Sequence, residues 1–156
     1  MESYGPAVLR LTVGVMFVAH GMQKLFAMWG GGGLRGTAAY FGELGLAPAF
    51  PLAVLAGVTE FAGGIMLIAG LFTRSAAAAL AAVMAVALWA AHVPHGFFIN
   101  WALIPGQGHG VEFHLVALGA LACLVLTGAG ALSVDHARAR SAEADAAGRA
   151  RLRGKL

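Results

Sequence analysis

Glu60 lies inside an apolar run, nine residues after Pro51. At 1.5 Å per helical residue that is roughly 14 Å, near the middle of a bilayer's hydrocarbon layer. A carboxyl group there is either protonated or paired with a cation. Two chemistries follow: an interhelical ion pair, or a carboxylate that accepts protons or binds a ligand. A second run supplies the cations. Arg10, Gly14, Phe17, Gly21 and Lys24 recur at i, i+4 and i+7 spacing, with His20 four residues before Lys24 and Gln23 beside it. This spacing places them on one helical face. Arg10 and His20 are the candidate partners of Glu60. Lys24 sits near a helix end, where its stem can snorkel to the surface or hold a ligand oxygen. A third group is His92, His95, His109, Glu112 and His114. Histidine titrates near neutrality and is the commonest metal ligand. The spacing here matches neither HExxH nor a di-iron Glu-x-x-His pattern, so the identity of any metal is unknown.

The elements that must carry these residues are membrane helices. The chain has 156 residues, 60% hydrophobic and 11% charged, with a mean hydropathy of +0.80. Soluble domains run at about 45–50% apolar and about 25% charged. A chain this short cannot bury such a surplus in a water-soluble core. Four stretches are long enough to span, about residues 6–29, 51–72, 76–93 and 111–132. A cleaved signal peptide is the rival for the first, but its basic leading region is poor and a small-x-small cleavage site is missing. The resulting expectation is an all-α integral membrane four-helix bundle. A short interfacial or re-entrant helix is expected in the first outer loop, around Tyr40 and Phe41. Residues 1–135 form the membrane domain and 136–156 a flexible basic tail.

Orientation follows from Lys and Arg near the span ends. Six of the ten lie in the tail, and Arg74 lies in the turn on the same side. The positive-inside rule puts both termini in the cytoplasm and the two long loops outside, in a cell inner (plasma) membrane if the host is bacterial. The net charge of +3 is thus a topology signal, and nucleic acid is not an expected partner. Cys123, the single cysteine, lies in an apolar run and can form no intrachain disulfide. No nucleotide fingerprint, haem attachment or Ser-His-Asp cue is present.

Several stretches together resemble the DoxX family. They are Leu9-Arg10-Leu11, the run from Phe17 through His20-Gly21-Met22-Gln23-Lys24 to Phe26, and Tyr40-Phe41 with Leu44-Gly45-Leu46 and Pro48. Gly57-Val58-Thr59-Glu60-Phe61-Ala62-Gly63-Gly64, Gly70-Leu71-Phe72-Thr73-Arg74, His95-Gly96-Phe97-Phe98 and Gly110-Val111-Glu112-Phe113-His114 continue the match. The resemblance implies a small four-helix inner-membrane protein associated with redox chemistry. Some members are subunits of a quinone-reducing thiosulfate oxidoreductase. Others accompany thiol and superoxide defence or metal handling.

The expected function is a redox-associated subunit that binds a quinone or quinol in the outer half of the bundle. Glu60 and His20 are the candidate proton-exchanging groups. Lys24, Gln23, His95, Glu112 and His114 are the candidate ligand contacts. The sequence offers no obvious electron carrier, so electrons would come from a redox partner protein or an unrecognised metal. The alternatives are a non-catalytic anchor for a soluble oxidoreductase and a small-molecule or metal-ion transporter. The glycine-rich spans also suit a homo-oligomer.

Overall fold

The computed structural model describes residues 3–153 and is all-helical, with no strand among them. Its helices are α1 (Gly5–Phe26), α2 (Gly33–Glu43), α3 (Ala49–Ala69), α4 (Thr73–Ala87), α5 (Glu112–Thr127) and α6 (Val134–Arg153). A π-helical turn (Leu88–His92) and a 3-10 turn (Val93–His95) prolong α4. Among the described residues three helices are long and apolar enough to cross a membrane: Gly5–Phe26, Ala49–Ala69 and Thr73–His95. Their outer surfaces carry exposed Val8, Val15, Leu55, Ile65, Val86 and Trp89, a surface suited to lipid and costly in water. The short helix expected in the first loop is α2.

One expectation changes. The fourth apolar helix ends at Thr127 rather than near 132, and its 16 residues rise only about 24 Å. Gly128 and Gly130 follow with positive φ, and Leu132 joins them at φ 55, so the chain leaves the helical path. The segment after Asp135, expected to be flexible as a fraying helix or disordered, lies in the 20-residue helix α6. Its basic residue Lys155 lies outside the described residues.

α1 packs against α3 along its small-residue face. A Cβ on Gly21 would meet Phe61 N at 2.5 Å, and one on Gly64 would meet Val18 N at 2.7 Å. Such backbone approach is what small residues allow in membrane bundles. The contacts also fix the register: residue 21 of α1 lies level with residue 61 of α3. The core beneath is Phe17, Leu67, Leu80, Leu121 and Leu124, all fully buried.

The end of the bundle where α1 begins and α3 ends is closed by Arg10, which is 1% exposed. Its Nε donates to Ala129 O at 3.1 Å, and Nη1 donates to Leu67 O at 3.1 Å and to Ile68 O. Nη2 donates to Ala131 O at 3.3 Å and to Leu132 O. One guanidinium thereby serves the carbonyl end of α3 and the unwound chain after α5. Helix C-termini leave carbonyls without intrahelical donors, and buried ones must find a partner. Gly70 (φ 64) completes this corner, where a Cβ would lie 2.3 Å from Ser133 Cβ. Ser3 O accepts from Ala131 N–H at 3.0 Å, which ties in the N-terminal segment.

Asp135 fastens α6 to the same end. Its carboxylate accepts from Phe72 N–H at 2.8 Å and Thr73 N–H at 2.9 Å, the start of α4. Partial burial would raise its pKa, but the Thr73 and Phe72 amides and the nearby Arg138 outweigh that and hold it below the usual carboxylate range. A depressed folded pKa means that Asp135 stabilises the fold above its unfolded value of about 3.9, and that this contribution fades as pH falls through the lower folded value. Asp135→Asn therefore lowers stability by about 1 kcal/mol at neutral pH, as loss of a helix cap does. Thermal unfolding in detergent should show the variant and the unaltered protein converging below about pH 4. A gap of constant size down to pH 3 would contradict this.

Candidate functional site

A cavity of about 870 Å³ occupies the half of the bundle opposite the Arg10 corner. Its floor includes Phe17, Ala56 and Met84, and its walls come from α1, α3, α4 and the start of α5. The remaining wall is α2 with its two flanking residues, through Gly32, Gly36 and Tyr40 at i, i+4 spacing and through Thr37, Phe41 and Leu44. Most of the lining is aliphatic or aromatic. The polar groups are few and local, the usual composition of a small-molecule pocket.

Lys24 of α1 and Glu60 of α3 form the charged centre of this cavity. Lys24 Nζ lies 2.7 Å from Glu60 Oε2 and 3.0 Å from Oε1. Their side chains are 24% and 7% exposed. The expected partners of Glu60 were Arg10 or His20, and neither holds that place. The helix register explains why. Glu60 is level with residue 22 of α1, so Arg10 is twelve residues away, about 18 Å along the axis. Lys24 is two residues past that level, and its flexible four-carbon stem turns inward to reach the carboxylate. It does not snorkel outward. The pair is neutral as a unit, and an ammonium has three N–H donors, so one remains after Glu60 takes two.

His20 lines the cavity on the next turn of α1, its ring 6.3 Å from that of Phe113. Across the cavity stands His114, 7% exposed, on the first turns of α5. Its ring lies 3.8 Å from that of His92 at an interplanar angle of 38°. His92 is set by the π-helical turn, which changes the angular register of the residues that follow. Its Nδ1 lies 2.8 Å from His109 O. A carbonyl only accepts, so Nδ1 carries the proton there. His109 Nδ1 accepts from Asn100 N–H at 3.2 Å, which leaves its proton on Nε2 when neutral. Asn100 also bonds Ile104 and Gln107 and so organises the loop that presents His109. His114 Nδ1 is buried, with no hydrogen-bond partner among the described residues. An unpaired buried nitrogen is costly, and a bound ligand is one way to satisfy it.

Of the residues singled out in the sequence, His20, Lys24, Glu60 and His114 come together around the cavity. Gln23, His95 and Glu112 do not line it. Gln23 packs beneath Gly31, whose Cβ would lie 2.5 Å from Gln23 O. His95 packs against Gly108. Glu112 opens α5 and donates its N–H to Phe97 O at 2.9 Å. Among the described residues no group of three or more His, Cys, Asp or Glu is placed to hold a metal ion. The α2 wall was missed in the sequence, where its four-residue spacing of glycine and tyrosine was the available signal. His92 and His109 were noted only as part of the histidine group.

The DoxX family model matches residues 5–93, more than half the chain, from α1 through the extension of α4. The chain belongs to the DoxX family. Two DoxX-like relatives extend the comparison. An uncharacterized protein of Haemophilus influenzae is 34% identical over 143 residues, covering 87% of this chain and 94% of the relative. A Bacillus subtilis protein named "Putative oxidoreductase CatD" is 30% identical over 131 residues, 84% of each chain. No solved structure matches the chain significantly. Within this DoxX chain, the family match carries His20, Lys24, Glu60 and His92. His109 and His114 lie beyond it.

Proposed function

We propose that this DoxX protein is a redox-associated subunit of a plasma (inner) membrane that binds a quinone or quinol in the outer-half cavity. The observation that carries the reading is the Lys24–Glu60 pair set into an apolar wall with His20 and His114 nearby. Quinone reduction takes up two electrons and two protons, and titratable groups beside an apolar slot supply the proton half of that exchange. Lys24 offers its remaining N–H to a ring oxygen, and His114 offers a second polar contact. Glu60 and His20 exchange protons with the ring. The neutrality of the ion pair favours an uncharged ligand over an anionic headgroup. Electrons are passed by a partner oxidoreductase. The name of the Bacillus relative supports that association.

In this reading α5 is the fourth span and both termini are cytoplasmic. Helix α5 falls short of the roughly 30 Å hydrocarbon layer, and residues 128–133 complete the crossing. Irregular backbone is tolerated at that depth only when protein satisfies it, which the Arg10 hydrogen bonds do. Arg74 and the α6 arginines then share the cytoplasmic side.

The test is a binding titration of a short ring quinone, such as a methylated naphthoquinone, with the purified protein in lipid nanodiscs. His114→Phe keeps a ring against His92 and removes the nitrogens. The expected result is saturable binding that weakens about tenfold in the variant, the loss of one net hydrogen bond. Absence of saturable binding, or equal affinity in both proteins, overturns the reading.

A further inference from the structure

The cavity has a side wall within the depth of the spans, and that wall is incomplete. Leu55 of α3 and Val86 of α4 both line the cavity, yet they are 61% and 51% exposed. At the inner end α3 and α4 are in close contact, since a Cβ on Gly63 would lie 3.0 Å from Leu80 Cγ. Farther out α4 lines the cavity with the small Ala87 and Ala90, which fill less space beside α3 than Leu80 does. Leu55 is six residues from the outer end of α3, and Val86 is nine from His95. These are depths of about 9 and 14 Å, within the hydrocarbon rather than the headgroups.

Resting on the quinone reading above, we infer that the gap between Leu55 and Val86 is a lateral doorway to the lipid, through which a ligand enters and its long apolar tail projects. The ligand class is a lipid-soluble ring carrying an isoprenoid or alkyl chain. The ring reaches the Lys24–Glu60 pair while the chain stays among acyl tails, so no charged or hydrated group has to pass the doorway. The outer end of the cavity is bordered by α2 and by His109, in a loop that carries no Asp, Glu, Lys or Arg between residues 93 and 111. Trp101 at the tip of that loop is 80% exposed, which suits the headgroup layer and not a water-filled vestibule.

Two quinones sharing one ring, one without a tail and one with a polyisoprenoid tail, are titrated against the protein in phosphatidylcholine nanodiscs. Val86→Trp narrows the doorway, Leu55→Trp repeats the obstruction from the opposite wall, and Val116→Trp on the exposed face of α5 is the control. The expected result is a loss of tenfold or more in affinity for the tailed quinone in the two doorway variants. Because both residues line the cavity, the tail-less quinone should also lose affinity, but at least threefold less than the tailed one, and the control should change neither. Unchanged binding of the tailed quinone in both variants overturns the doorway. Equal losses for both quinones also overturn it, because they place these residues against the ring. Binding of the tail-less ring alone by the unaltered protein overturns the doorway and leaves the functional reading standing. Failure to bind either removes both.

Discussion

Glu60→Gln lowers the stability of the bundle by about 3 kcal/mol, because it strands a largely buried ammonium without its counter-charge. The carboxylate is 7% exposed and Lys24 reaches both of its oxygens, so little water is at hand to replace the lost interaction. Lys24→Met costs a comparable amount by stranding the carboxylate. The double variant Lys24→Met/Glu60→Gln recovers most of the loss, since replacing a buried pair with uncharged groups is often close to neutral. The cycle of four proteins, unfolded thermally or by a denaturing detergent, yields the coupling directly. Additive single losses would show that the two residues act independently and that the pair does not persist in the membrane. Quinone binding separates stability from function: the double variant should fold and still bind poorly, having lost both the ammonium donor and the carboxylate.

Arg10→Lys is expected to be nearly as damaging as Arg10→Met. Arg10 donates to five backbone carbonyls from three nitrogens, a fork that a single ammonium cannot copy. A charge-assisted hydrogen bond contributes about 1.5–3 kcal/mol, and each buried carbonyl left without a donor adds its own cost. A total loss of about 3 kcal/mol or more is expected for either variant. Because the affected carbonyls belong to α3 and to the chain after α5, hydrogen exchange should rise first at residues 128–133. A near-neutral Arg10→Lys would mean that charge alone, without the planar fork, holds this corner.

The long helices were legible because length, hydropathy and spacing are local properties. The face Arg10, Gly14, Phe17, Gly21 appears in the structure as the buried side of α1, and Tyr40-Phe41 marked α2. The pairing of Glu60 was not legible. It depends on the axial register of α1 against α3, and that register is set by particular glycine contacts such as Gly21 on Phe61. A shift of one turn would have brought a different cation opposite. The role of Arg10 was hidden for another reason: its acceptors are main-chain carbonyls, which leave no mark in a sequence. The early end of α5 follows from the same network, since apolar residues continue past Thr127 and hydropathy alone cannot see the chain unwind. The histidines were visible as a group, but which of them face the cavity depends on elements distant in sequence: the π-helical turn that ends at His92, the Asn100 loop that presents His109, and α5 for His114.

The corner built by Arg10, Gly70 and Asp135 has a mechanical consequence. It rivets α1, α3, α4, α5 and α6 together at one end, while toward the far ends the ties are side-chain contacts, the Lys24–Glu60 pair between α1 and α3 and the His92–His114 rings between the α4 extension and α5. Such a body behaves as a peg with its spring at the base. The Thr73–His95 rod is about 34 Å long, so tilting it by about 2° about the base would swing its tip by about 1 Å, and the jaws can thereby accommodate guests of differing girth with little change in core packing.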